Sequence, residues 1–300
     1  MPKIIAKSAP RKLQLNEKMK KGCDGIELHI TDELFNSKSY ENEFSEGIRL
    51  LKDYPIYSVH SPLSEMMDIN IIELYTFEKY ILMDKTFKLA NLCGKMHKKI
   101  IPVVIHNNET LNNIFKIDKN GEVLIDTIKS LLNKYPYTSL AIENVTPFNL
   151  INNLFLRNGF LFENVEIAKW LTRELKTDRV GTVLDLCHAE ISINFLNVIK
   201  KDFEFYKDYT IEDYFKVNKD IVTLIHFNTM SGNGYGKGHG IGYNIDNPKD
   251  CEKLSIIMNY YNKYLKGTPL VLEVREDDYN NCVNYENTKN AINKIISNKN

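Results

Sequence analysis

Residues 182–192 read TVLDLCHAEIS. Thr182, Val183 and Leu184 have the β-branched and apolar character of a strand entering a core, yet the run finishes in Asp185 and, three residues on, His188. Taken alone, an aspartate that caps the following turn beside a packed histidine accounts for this. The same arrangement recurs along the chain, and the recurrence changes its meaning.

Short apolar runs of β type appear at 3–7 (KIIAK), 25–30 (GIELHI), 56–60 (IYSVH), 102–106 (PVVIH), 140–144 (LAIEN), 182–186 (TVLDL), 223–228 (TLIHFN) and 269–274 (PLVLEV), eight candidate strands in all. Between them lie FSEGIRLLKDY, FEKYILMDKTFKLANL, VLIDTIKSLLNKY, VEIAKWLTREL and CEKLSIIMNYYNKYL, whose apolar residues fall three and four apart, as on an amphipathic helix packed against a sheet. The strands are continuously apolar rather than alternating, which suits a parallel sheet covered on both faces. Eight β–α units predict a (β/α)8 TIM barrel forming one domain over 1–300, closed by a final helix near 285–297. A doubly wound open sheet would also alternate strand and helix. The phosphate-binding GxGxxG after the first strand is absent, which argues against that fold. The longest loop-like stretch is 229–248, after the seventh strand.

Composition excludes several classes. Lys plus Arg and Asp plus Glu both count 39, giving a formal charge of zero, and no long run of one sign marks a nucleic-acid arm or an acidic tail. The five cysteines, Cys23, Cys93, Cys187, Cys251 and Cys282, are scattered without CxxC spacing and read as free thiols of a reducing compartment. MPKIIAKSAPRKLQ lacks the apolar stretch of a signal peptide, and no segment approaches a membrane span. The expectation is a cytoplasmic protein with no membrane partner.

His60 ends the third strand, His106 the fourth, Glu143 the fifth and Asp185 the sixth, while His226 and Glu273 lie near the ends of the seventh and eighth. The C-terminal ends of parallel barrel strands gather at one mouth, where active sites are built. Three imidazoles and three carboxylates enclosed there are costly unless paired or neutralised by a cation. A divalent metal is the simplest neutraliser, and mixed His, Asp and Glu ligation fits zinc, manganese, cobalt or iron better than calcium.

VHSPL (59–63), VVIHNN (103–108), AIENVTP (141–147), VLDLCHA (183–189), LIHFN (224–228) and LVLEV (270–274) resemble the successive strand-end motifs of the xylose-isomerase-like barrel superfamily, over residues 3 to 275. That superfamily includes sugar isomerases and epimerases and the endonuclease IV type of repair enzyme. The resemblance implies a metal centre of Glu143, Asp185, His226 and Glu273. In the endonuclease pattern His60 and His106 bind a second metal bridged by Glu143, so one or two ions are expected. A third metal there uses the equivalent of His188 and an Asp-x-His pair after the seventh strand. Here Lys237 stands in place of that aspartate before His239, and a protonated ammonium cannot be a ligand.

In the epimerase branch the resemblance implies Glu143 and Glu273 as acid and base, His188 as donor to a substrate oxygen, and Lys237, His239 or Arg275 as groups that hold a hydroxyl or phosphate. The leading expectation is isomerisation or epimerisation of a small sugar, sugar phosphate or polyol. The runner-up is a phosphodiester hydrolase of the abasic-site endonuclease type, with nucleic acid as partner. An iron-dependent peptide-modifying barrel and a non-catalytic binding barrel stand behind these.

Other residues carry plainer expectations. His29 shares a face with Glu27, which resembles a glutamate of sugar-directed members and equally fits a buried ion pair. His97 is expected at the surface. REDDY (275–279) reads as a solvated loop in which only Arg275 bears on substrate. Cys187 reads as a packed small side chain rather than a nucleophile, and the Tyr-rich stretches YKDYTIEDYF and MNYYNKYL as helix faces or a partner surface, packing being the commoner reason for such a pattern.

Overall fold

Each expected apolar run forms a strand in the computed structural model, which describes residues 1–30, 49–62, 71–107, 109–147, 161–199, 208–232 and 238–297. The strands are β1 Ile4–Ser8, β2 Gly25–His29, β3 Ile56–His60, β4 Ile101–His106, β5 Thr138–Glu143, β6 Val180–Asp185, β7 Val222–His226 and β8 Leu270–Leu272. They pair in chain order, all parallel, and β8 returns to β1, so the sheet closes into a barrel. The helices are α1 Lys12–Lys20, α2 Phe77–His97, α3 Leu111–Ile117, α4 Glu122–Lys134, α5 Glu163–Leu175, α6 Leu186–Ile199, α7 Ile211–Asn218, α8 Pro248–Tyr264 and α9 Val283–Ser297. In α4 the buried residues Leu124, Ile128, Leu131 and Leu132 recur at the spacing that the sequence shows. Each such side chain removed from water contributes ~1.5–3 kcal/mol, which is what fixes the helix against the sheet. No helix among the described residues is long and apolar enough to cross a membrane.

The barrel interior explains where the polar residues go. Ile5, Val104, Ala141, Val183, Leu224 and Val271 form a buried cluster of their own, one inward layer of the kind that fills a (β/α)8 barrel. Side chains two residues apart on a strand share a face. Counting two residues on from each member gives Lys7, His106, Glu143, Asp185, His226 and Glu273. The next layer toward the C-terminal mouth is therefore entirely ionisable on these six strands. His60, His106, Glu143, Asp185 and His226 are each the last residue of their strand, and Glu273 is the first beyond β8.

Three expectations are corrected. REDDY is not wholly solvated: Arg275, Asp277 and Asp278 are exposed, but Glu276 is buried and accepts the backbone N–H groups of Asn284 (2.8 Å) and Tyr285 (2.7 Å) at the start of α9. Its carboxylate also lies 3.6 Å from the buried ammonium of Lys18, a pairing of residues far apart in sequence that no local pattern announces. His97 is half-buried, its Nε2 3.3 Å from the Leu51 carbonyl. The eighth strand is three residues long rather than six. The Tyr-rich stretches do pack inward, through Tyr214, Phe215 and Tyr261. Cys187 is a buried free thiol, and burial, reinforced by Asp185, pushes it well above the ordinary thiol range, which agrees with a packing role.

Candidate metal centre

Asp185 resolves the opening puzzle by doing two things. Its Oδ1 accepts the backbone N–H of His188 at 2.7 Å, capping the first turn of α6, while its Oδ2 accepts from Asn228 Nδ2 at 3.2 Å and lies 3.7 Å from His226 Nδ1. Two asparagines fix this corner. Asn144 donates to the Asp185 carbonyl (3.0 Å) and accepts its N–H (2.8 Å), and Asn228 Oδ1 accepts the N–H of Cys187 (3.1 Å). The carboxylate thus sits on a junction of β5, β6 and β7 that cannot swing.

Two sets of ligand-type atoms converge, each set within 4.8 Å: His60, His106 and Glu143, and Glu143, Asp185, His226 and Glu273. Glu143 belongs to both. Its Oε2 lies 3.1 Å from His60 Nε2 and 3.9 Å from His106 Nε2, while its Oε1 lies 3.3 Å from His226 Nδ1 and 3.3 Å from His188 Nδ1. The carboxylate bridges two adjacent clusters.

The imidazole tautomers show that these clusters suit a cation. His60 Nδ1 lies 2.8 Å from the Ser61 carbonyl, which can only accept, so the proton sits on Nδ1 and the Nε2 lone pair faces Glu143. His226 Nε2 donates to Glu27 Oε2 at 3.4 Å, leaving Nδ1 facing Glu273 Oε2 at 2.8 Å, out of hydrogen-bonding alignment. A nitrogen lone pair aimed at a carboxylate oxygen is repulsive unless a proton or a metal ion lies between them. An outward N–H held by a carbonyl or carboxylate is also the usual outer support of a ligating histidine. The residues present therefore fit a divalent ion at the four-residue cluster, and His60, His106 and Glu143 fit a second.

The electrostatics agree. Burial opposes the charge on Glu143, yet the imidazoles around it, His226 foremost and then His188, hold it well below the ordinary carboxylate range. Burial likewise opposes the proton on His226, but Glu143, Glu27 and Glu273 raise it well above the usual imidazole value. An ion must displace that proton, so its uptake releases protons and its apparent affinity rises with pH. Glu27 is lowered to about 2, burial being outweighed by His226 and Lys7, and Ser58 donates to its Oε2 at 2.7 Å. Glu27→Gln is accordingly expected to weaken metal binding roughly 10–100-fold while the fold stays intact. Calorimetric titration checks this, and an unchanged affinity would show that His226 does not depend on Glu27.

The remaining expected site residues divide. His188 is raised to about 9, burial being overcome by Asp185 and Glu143. His239 stacks on it with ring centres 5.0 Å apart and is lowered to about 4 by burial and by His188. Both face the mouth beside the four-residue cluster. Arg275 is exposed and lines a polar cleft of about 630 Å³ with Asn244, Asp246, Asp277 and Asn284. Lys237 lies outside the described residues. The base of its loop is pinned by an antiparallel bridge between Thr229 and Ile241. His29 flanks the second cluster, its ring centre 6.2 Å from that of His60. Sequence reasoning passed over Lys7, whose Nζ lies 2.5 Å from Glu273 Oε1 and 3.7 Å from Glu27 Oε1. The signal was present in KIIAKS, where Lys7 follows Ile5 as His106 follows Val104.

No known protein family and no curated protein matches the chain. Solved structures do match over nearly its whole length. The apo 3-keto-D-glucoside 4-epimerase YcjR from E. coli aligns with TM-score 0.56 at 12% identity, covering 99% of this chain and 98% of that one. A xylose isomerase domain protein from Alicyclobacillus acidocaldarius aligns with TM-score 0.57 at 12% identity, covering 98% of each chain. An AP endonuclease, family 2, from Brucella melitensis aligns with TM-score 0.52 at 11% identity, covering 94% and 97%. These likenesses concern the fold: the chain is a (β/α)8 barrel whose fold is similar to that of a sugar epimerase, a xylose isomerase domain protein and an AP endonuclease.

Proposed function

We propose that this chain is a divalent-metal-dependent enzyme that isomerises or epimerises a small polyhydroxylated substrate, a sugar, sugar phosphate or polyol. The observation that carries the proposal is the inward convergence of Glu143, Asp185, His226 and Glu273, with an imidazole nitrogen aimed at carboxylates and two glutamates reaching in from β5 and from beyond β8. Those four residues would hold zinc, manganese, cobalt or iron. The bound ion supplies Lewis acidity toward a carbonyl and its neighbouring hydroxyl. Glu143 and Glu273 stand on separate sides of the mouth, so one can take a proton from carbon while the other returns one to the opposite face. His188, its Nδ1 held by the Asn144 carbonyl at 2.8 Å, is assigned as donor to a substrate oxygen, and His239 stacked on it offers a ring nitrogen to a hydroxyl. Lys237 and Arg275 are assigned to the outer end of the substrate.

A second reading, phosphodiester hydrolysis at two ions with nucleic acid as substrate, is favoured by one observation: the two oxygens of Glu143 serve different clusters. The deciding experiment loads the protein with each metal, counts ions per chain, and assays two reactions. Incorporation of solvent deuterium at carbon across a panel of ketoses and inososes supports the leading reading. Cleavage of abasic-site DNA with no deuterium exchange supports the second. A protein that takes up none of the four metals would sink both.

A further inference from the structure

Lys7 stands between two glutamates because of where the barrel closes. The β1–β2 register sets Lys7 beside Glu27, and the β1–β8 register sets Ala6 beside Leu272, so the next residue along on each strand places Lys7 next to Glu273. Its side chain is only 10% exposed. Enclosing an ammonium costs several kcal/mol unless it is paired, and here the pairing is unequal. Glu27, wholly buried, lies 3.7 Å away, whereas Glu273 Oε1 lies 2.5 Å away and accepts a hydrogen bond. A lysine serving only to neutralise buried acid would favour the more deeply buried carboxylate. Lys7 instead grips the one that belongs to the metal cluster, and it grips a single oxygen. The other, Oε2, faces His226 Nδ1 at 2.8 Å and the shared ligand space.

On this basis, and resting on the metal-dependent reading above, we infer that Lys7 is a positioning residue. Its ammonium holds Oε1 of Glu273 so that this carboxylate reaches the cluster through Oε2 alone. Asp185 Oδ1 is already taken by the His188 N–H and Glu143 Oε2 faces His60, so Glu143, Asp185, His226 and Glu273 would each offer one atom, and an octahedral ion held in that way would keep two positions for exchangeable ligands. Two open positions suit a substrate that binds through adjacent oxygens, such as a carbonyl and the hydroxyl beside it. Without Lys7, Glu273 is free to bind through both oxygens and close one of them.

The test uses the full chain loaded with Co²⁺, and acetohydroxamate, a chelator that binds through two oxygens, as probe, its binding followed by the change it makes in the visible spectrum of the ion. Lys7→Met is expected to retain bound Co²⁺ and to bind acetohydroxamate about tenfold or more less tightly, because one of the two positions that the probe needs is closed. Lys7→Arg, which keeps the charge and the donors, should restore that affinity. Lys7→Met with wild-type acetohydroxamate affinity would overturn the inference and leave the metal-dependent reading standing. Wild-type protein that binds no Co²⁺ would instead overturn the metal-dependent reading, and the role of Lys7 with it. Should Lys7→Met not fold, the crystal structure of Co²⁺-loaded wild type decides: Glu273 on the ion through Oε2 with Lys7 on Oε1 supports the inference, and both oxygens on the ion refutes it.

Discussion

Glu143→Ala is expected to strip metal from both clusters at once, because Glu143 is the carboxylate whose oxygens face His60 and His106 on one side and His226 on the other. The loss should exceed the roughly 10–100-fold in affinity that removal of a mere outer-shell partner costs, with turnover falling in step. His60→Ala, by contrast, should cost only the ion of its own cluster, leaving Asp185, His226 and Glu273 with their shared carboxylate. Elemental analysis of the two variants after identical loading gives the comparison directly. Equal metal content in both would show that Glu143 does not bridge, and retention of wild-type metal by Glu143→Ala would remove it from the centre altogether.

The second large effect lies far from the chemistry. Glu276→Ala removes the acceptor of two α9 N–H groups and the partner of the buried Lys18, whose ammonium also lies 4.5 Å from the centre of the Tyr285 ring. Breaking one side of a buried ion pair leaves an uncompensated charge, and the expected loss of stability is about 3–5 kcal/mol. Urea titration of the full chain should show the lower midpoint with little change in slope. Lys18→Met combined with Glu276→Gln should recover part of that loss, since a buried pair replaced by neutral groups leaves no stranded charge. The metal content of the folded variant should match wild type, because Glu276 touches none of the cluster. A drop of less than about 1 kcal/mol, the usual worth of a surface pair, would mean that α9 is held by its apolar face alone.

These two residues mark what could and could not be read in advance. The convergence of the strand-end side chains was legible because each is fixed by its own strand: an apolar run sets the alternation, the strand ends where the run ends, and an ionisable residue in register with the inward layer projects into the mouth. His60, His106, Glu143, Asp185 and His226 satisfied that local rule and were found. Glu276 sits in a run of charges that looks like ordinary solvated loop. Its burial depends on α1 bringing Lys18 against the start of α9, more than 250 residues away in the chain and invisible to periodicity.

Lys7 shows the same limit within the site itself. Its residue type and its place two positions after Ile5 were in the sequence, but an ammonium at a strand end says nothing until its neighbours are known. Those neighbours are set by ring closure, which seats β1 between β2 and β8 and so puts one lysine between two glutamates. The division of labour at Glu143, one oxygen to each cluster, is likewise a matter of how β3, β4, β5 and β7 are staggered around the barrel. The sequence by itself determined the eight β–α units and the ionisable residues at their ends, because hydrophobic alternation acts over a few residues at a time. Which of those groups touch, which nitrogen of each histidine turns inward, and which carboxylate oxygen remains free were decided only by the tertiary structure, because charges and hydrogen bonds are set by distances that closing the barrel alone fixes.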